Sequence, residues 1–362
     1  MPTHRPGVMY ATVVLFVSCT LSFGQFQNGN QTQVLELPLL SQHALVSQRI
    51  GLTDINISYH RPLANGRKIF GTVVPYGRVW RAGANENTTI EFTDPVTIEG
   101  KPLDKGVYGL HMIPNEDHWT IIFSKNSTSW GSFTYDQKED ALRVDVKPQA
   151  AEAHDALSYD FDNLKADSAV ITMRWDRVAV PFQIGVNVKD TTLVSLRNQL
   201  RGLVQFDWSG WNDGANYLLD SKMNLDDALS WCDRSIGIEE RYDNLLTKSR
   251  VLTALNRTQE ATATREKALN VASALQMHFY ARQLQAENKQ NEAFAVYRTN
   301  AKKHPTDWIV HTGMARVYSG EGDFGKAADE MKLAATAAPN PQQKTYLEGL
   351  VKRLEAKQDI NK

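Results

Sequence analysis

Apolar and polar residues alternate through most of the chain between Thr53 and Ile184. Ile55, Ile57 and Tyr59 alternate with Asn56 and Ser58, and Trp119, Ile121 and Phe123 share one face of "WTIIFS". Leu142, Val144 and Val146 stand opposite Arg143, Asp145 and Lys147. The runs "LSYDFD", "VITMRW" and "VAVPFQI" continue the pattern through Leu157, Tyr159 and Phe161, then Ile171, Met173 and Trp175, then Val178, Val180, Phe182 and Ile184. A period of two means strands with one face buried and one solvated, the habit of antiparallel sheets. The runs are short and are separated by turn-rich pieces such as "PNEDH" and "DNLKADS". Eight or more such strands with no long helix among them predict an antiparallel β-sandwich or open barrel over residues 39–188.

After Val188 the period changes. Leu193, Leu196, Leu200 and Leu203 stand three and four apart, which predicts a linker helix within 189–210, capped by Asp190. From 211 to 362 the pattern is helical and repeats. The first alanines of "DDALSWC", "QEATATR", "NEAFAVY" and "GKAADEM" are Ala228, Ala261, Ala293 and Ala327, spaced 33, 32 and 34 residues apart. In the last two units Ala281 and Ala315, Tyr297 and Met331, and Pro305 and Pro339 each stand 34 apart. Small residues where paired helices cross, an aromatic in the second helix and a closing proline resemble the tetratricopeptide repeat, an α-solenoid of stacked hairpins. The earlier units are looser: Ser249 takes the small position and Arg265 the aromatic one. Leu347, Leu350 and Leu354 share one face of the closing segment, as a capping helix requires. All these positions read as core.

The first residues follow neither pattern. An apolar run from Val8 to about Phe23 follows His4 and Arg5, and Ser22 and Gly24 precede Gln25. It is shorter than the ~20 apolar residues of a spanning helix, so 1–24 reads as a secretory signal peptide and 25–38 as a disordered mature N-terminus. The mature protein is then periplasmic or secreted, with no transmembrane segment; the alternative is a lipoprotein anchored through Cys19. Cys232 would be the single cysteine left, in helical spacing, and reads as buried. A formal net charge of −1 argues against a nucleic-acid binder.

Most chemical signatures are missing, among them Gly-x-Ser-x-Gly, His-Glu-x-x-His, a phosphate loop and Cys-x-x-Cys. His111 and His118 flank Glu116 and Asp117 without the three or four converging ligands of a metal site. "DFDNLKAD" lacks the glycine and final glutamate of an EF-hand and reads as a turn. No cofactor, metal or catalytic residue is assigned. The polar cluster lies between two strands: Tyr59, Arg61, Arg67, Arg78, Trp80, Arg81, Asn85 and Glu86. Arginine offers a donor fork for carboxylate or phosphate, and tryptophan a face for a sugar or cation. The same residues also suit a corner brace that satisfies its own backbone groups.

The phrases "YHRPLANGRKIFG", "VPYGRVWRAGANENTTIEF" and "DKGVYGLHMIPNEDHWTIIFSKNSTSWGSFTYD" resemble those of secreted bacterial proteins of the domain of unknown function 2911 family, from about Leu39 to Val186. The family pattern maps onto Tyr59, Arg61, Pro62, Gly66 to Gly71 and Val74 to Glu86; His111 departs from it, standing where the pattern has serine, threonine or an aromatic. The resemblance implies export and a β domain with an appended helical repeat, and supplies no activity. Three functions stay open. One is a binding scaffold, with a small anionic or carbohydrate ligand at Tyr59, Arg61, Arg67, Trp80, Arg81, Asn85 and Glu86 and a peptide or protein on the repeats. Another is a hydrolase with Glu86 as base, Arg61 or Arg81 stabilising charge, and Tyr59, Asp136 or His111 as nominal partners. The last is a structural envelope protein.

Overall fold

The computed structural model describes residues 38–362. The segment expected to be a signal peptide, with Cys19, and most of 25–38 lie outside the described residues. Among those described, ten strands precede ten α-helices. The strands are β1 (Gln42–Ile50), β2 (Thr53–Arg61), β3 (Thr89–Phe92), β4 (Val96–Ile98), β5 (Lys101–Leu103), β6 (Gly106–Pro114), β7 (Trp119–Ser124), β8 (Asp140–Val146), β9 (Gln149–Asp162) and β10 (Ser168–Val186). All pair antiparallel, in a six-stranded sheet of order β1-β2-β3-β6-β7-β8 and a four-stranded sheet of order β5-β4-β10-β9. Both orders are open, so the arrangement is a sandwich and not a barrel. Its core joins Ile55, Ile57, Ile90, Leu110 and Phe123 of one sheet to Ile171, Met173, Phe182 and Ile184 of the other. Burying each such side chain contributes about 1.5–3 kcal/mol.

The runs "VITMRW" and "VAVPFQI" form one long strand. Asp176 adopts φ +55° between two register shifts at which β9 carries the extra residues, and across this irregularity the inward positions of β10 move from odd to even numbers. β1 lies outside the alternation that the sequence displays; it is an edge strand, with Leu45 exposed. β6 and β7 are buried on both faces, since His111 and Ile122 are as inaccessible as Leu110 and Ile121. Residues 125–137 cover the outer face of the sheet there, joining His111 through Ser132 and Asn87 through Asn126.

The linker helix α1 (Val188–Gln199) starts earlier than the spacing predicts. Asn187 is its cap and accepts the Asp190 N–H, so Asp190 lies in the first turn, where its charge suits the helix dipole. Leu193 and Leu200 share a core with α2 (Trp208–Asp220) and α3 (Leu225–Ile238). Three more helix pairs follow: α4 (Tyr242–Ala254) with α5 (Thr258–Val271), α6 (Ala274–Ala286) with α7 (Gln290–Lys303), and α8 (Trp308–Gly320) with α9 (Phe324–Thr336), then α10 (Pro341–Glu355). Ala228, Ala261, Ala293 and Ala327 occupy the second helix of each pair and are buried. Ser249 is buried at its small position and its hydroxyl donates to the Ala261 carbonyl at 2.8 Å, so the polar replacement is satisfied. Cys232 is fully buried, and burial pushes its thiol up to about 12.

Candidate functional site

The cluster between β2 and β3 divides once its partners are known. Tyr59 is core: its ring meets Tyr159 edge-on at 4.8 Å and its oxygen accepts the Tyr159 N–H at 3.2 Å. Arg61 Nε donates to the Leu157 carbonyl at 2.9 Å, tying β2 to β9. Arg67 donates to the carbonyls of Ala64 and Leu63 at 2.9 and 2.7 Å, fixing its own turn. Trp80 stacks on Trp175 at 5.8 Å, its indole N–H donates to the Gly83 carbonyl, and its backbone pairs with Met112. Asn85 adopts φ +57° and donates to the Ser41 carbonyl at 3.2 Å. These five residues hold chain to chain, and the indole face expected for a sugar packs on Trp175.

Arg81 and Glu86 are arranged differently. Glu86 is exposed and lies 3.2 Å from His60 Nδ1. His43 stands across β1 and β2 from His60, with ring centroids 5.3 Å apart. Burial lowers the His60 pKa, the Glu86 charge raises it and His43 lowers it further, for a net fall. Burial likewise lowers Arg81, with Glu86 opposing. Arg81 forms no ion pair within 4.0 Å among the described residues, and its buried Nε has no hydrogen-bond partner there. Its guanidinium lies under the Gly131 turn, where a Cβ on Gly131 would stand 2.8 Å from Nη1. Arg81→Met is therefore expected to change stability by less than about 0.5 kcal/mol or to raise it, because it removes a partly buried charge without breaking a pair. Urea unfolding checks this, and a loss above about 3 kcal/mol would assign Arg81 to the fold.

Beside Arg81, the outer face of β6 to β8 carries a covered polar array. His111 Nδ1 lies 3.0 Å from Ser132 Oγ, and its ring meets Tyr135 edge-on at 5.5 Å. The Tyr135 hydroxyl donates to Asp140 at 2.7 Å, and Arg143 pairs with the same carboxylate at 3.0 Å. Burial holds His111 down to about 4 and raises Tyr135 and Asp140. Gly109 makes the covering possible, since a Cβ there would stand 2.5 Å from the Asn126 carbonyl. Asp136 caps the short 3-10 turn at Gln137–Glu139. Of the nominal partners for a Glu86 base, Tyr59 is thus core, Asp136 a cap and His111 a covered neutral imidazole. Trp130 and Phe133, exposed on the covering segment, are aromatic groups the sequence reading did not single out.

Besides a hollow of about 410 Å³ between α9 and α10, two hollows flank α6 in the helical half. One, of about 470 Å³, is lined by α2, α4, α5 and α6 and includes Lys222, Arg250, Arg265, Tyr280, Glu287 and Lys289. The other, of about 280 Å³, lies between α6, α8 and α10 and includes His278, Phe279, Arg282, Thr312, Arg316 and Tyr346. The repeat reading placed a peptide or protein on these helices without naming residues for it, and singled out neither hollow. Across the two linings stand six Lys or Arg side chains and two carboxylates, Asp220 and Glu287. Both carboxylates are already paired, with Arg250 at 3.0 Å and Lys289 at 2.7 Å.

The chain is thus an antiparallel β-sandwich followed by tetratricopeptide-like helical hairpins. Residues 41–184 match the family model described as Protein of unknown function (DUF2911). No curated protein matches the chain. Among solved structures it is similar to YrrB, a TPR protein described as having an unusual peptide-binding site, at 14% identity and a TM-score of 0.27, covering 46% of this chain and 86% of that one. The hairpin architecture stands on the order and packing of the helices themselves.

Proposed function

We propose that this is an exported two-domain binding scaffold whose helical repeats take an acidic segment of a partner protein. The carrying observation is the charge of the two hollows: Lys222, Arg265, Arg282 and Arg316 line them without a carboxylate within 4.0 Å among the described residues, in a chain of net charge −1. Unpaired cations in a recess attract an anionic partner and speed its encounter. The apolar run before Gln25 supports export. In the β domain, Arg81 supports a small anionic ligand beside Glu86 and His60, the finer half of the same reading.

Fluorescence anisotropy with labelled, end-capped peptide pools tests the repeats. A glutamate-rich pool is expected to bind at least about tenfold tighter than a lysine-rich pool at low salt. The preference should shrink as ionic strength rises and the Debye length falls. Equal binding of the two pools would overturn the proposal. Titration of inorganic phosphate against Arg81→Met and the unaltered chain tests the β-domain ligand.

A further inference from the structure

The smaller hollow has a built floor. His278, Thr312 and Arg316 are 6%, 5% and 5% exposed, and each keeps a buried polar atom without a partner among the described residues: Nδ1, Oγ1 and Nε. Buried groups of this kind cost stability unless something satisfies them. Arg316 spends Nη1 on the Ile360 carbonyl at 2.9 Å, and the charged group felt most at its guanidinium is another cation, Arg282. His278, Thr312 and Arg316 thus bring an imidazole, a hydroxyl and a guanidinium without an ion-pair partner among the described residues to the lining of one hollow. The rim is apolar and open, with Phe279 62% and Tyr346 60% exposed.

The neighbouring surface shows what kind of molecule fits. Ser319 Oγ donates to Asp359 Oδ1 at 2.9 Å and accepts the Ile360 N–H at 3.0 Å, while Asn361 Nδ2 donates to the Arg316 carbonyl at 2.9 Å. One face of α8 therefore already holds an acid–aliphatic–amide segment of polypeptide through side chain and main chain. The hollow continues that face toward α6 and α10.

We propose that the hollow between α6, α8 and α10 is a pocket for the carboxylate side chain of a partner polypeptide, with the large apolar residue next to it resting on Phe279 and Tyr346. A carboxylate accepts from Arg316, Thr312 and His278 together, and charge-assisted bonds of this kind are the strong ones. At about 280 Å³ the recess is at the small end for a ligand site, which suits one side chain and not a folded ligand. The assignment rests on the reading of the repeats as a surface for acidic segments, and fixes which hollow reads the acid.

The test uses the full chain and labelled nonapeptide pools, acetylated and amidated, with Glu-Phe, Gln-Phe or Glu-Ser fixed at the centre. The Glu-Phe pool is expected to bind at least about tenfold tighter than either control. Arg282→Gln and Tyr346→Ala, both at exposed side chains, should each weaken it about fivefold or more without lowering the melting temperature. Arg250→Gln, in the larger hollow, should weaken it less than either of these. If Arg250→Gln abolishes binding while the other two variants do not, the acidic-partner reading stands and this pocket assignment falls. Equal affinity of the Glu-Phe and Gln-Phe pools sinks both. A Gln-Phe pool that regains full affinity on exposing its terminal carboxylate would overturn the side-chain assignment.

Discussion

Replacing Phe70 with alanine is expected to destabilise the β-sandwich by about 3–5 kcal/mol. Its ring is buried and meets three indoles edge-on: Trp119 at 4.8 Å, Trp175 at 6.0 Å and Trp80 at 6.1 Å. Edge-to-face pairs contribute about 0.5–1.5 kcal/mol each beyond the area they bury. The surrounding rings are fixed from other directions, Trp80 through its backbone pairing with Met112 and Trp175 through its indole bond to Asp155. The site therefore collapses little, and a cavity remains. Native-state hydrogen exchange at the Ile121 and Phe123 amides, in the middle of β7, reads the opening free energy of this half separately from the helices. A loss below about 1 kcal/mol would mean that the connection between β2 and β3 is draped over the sandwich and not part of its core.

That contrast explains why the connection was the hardest stretch to read. Period two marked strands such as β2 and β10, which bury about every second residue, and it even carried the β10 irregularity as a change of parity between Trp175 and Val178. No such rule governs a segment whose packing comes one residue at a time from distant strands. Arg61 finds its acceptor 96 residues away on Leu157, and Asn85 finds Ser41 44 residues back. A guanidinium written in a sequence looks the same whether it faces a ligand carboxylate or a main-chain carbonyl. Arg81 differs from Arg61 and Arg67 only through what surrounds it in space.

The repeats were legible for the opposite reason and illegible in a different place. Alanine at Ala228, Ala261, Ala293 and Ala327 is required wherever two helices of one hairpin approach closely, and that need recurs with the hairpin. The hollows arise between hairpins, where α6 meets α4 on one side and α8 and α10 on the other. His278 and Arg316 stand at core-like spacing in α6 and α8, so periodicity assigns them to the interior, where they are indeed buried. What periodicity does not register is that His278 Nδ1, Arg316 Nε and, between them, Thr312 Oγ1 are left without partners among the described residues.

Those buried imidazoles also make both halves of the chain sensitive to mild acid. His111 in the sandwich is held down to about 4 and His278 in the repeats to about 3, from an ordinary 6.5, chiefly because burial disfavours the charged ring. Arg316 and Arg282 press His278 the same way, while His111 faces Ser132 and Tyr135, which bring no compensating charge. Below pH 6.5 an unfolded histidine takes up a proton that the folded one refuses, so the unfolded state binds more protons and stability falls as pH falls. The slope is about 1.4 kcal/mol per pH unit for each histidine. Between pH 6.5 and 4 each half is thus expected to lose about 3 kcal/mol through its histidine. The paired carboxylates Asp54 and Asp162 are held below their ordinary value and so add their own losses at lower pH than this window. Urea unfolding at pH 7, 5.5 and 4.5 measures the slope, with His111→Gln and His278→Gln as the decisive comparisons. Each variant should flatten the pH dependence of its own half and leave the other half unchanged, and an unaltered slope in either variant would show that its imidazole is protonated in the folded chain.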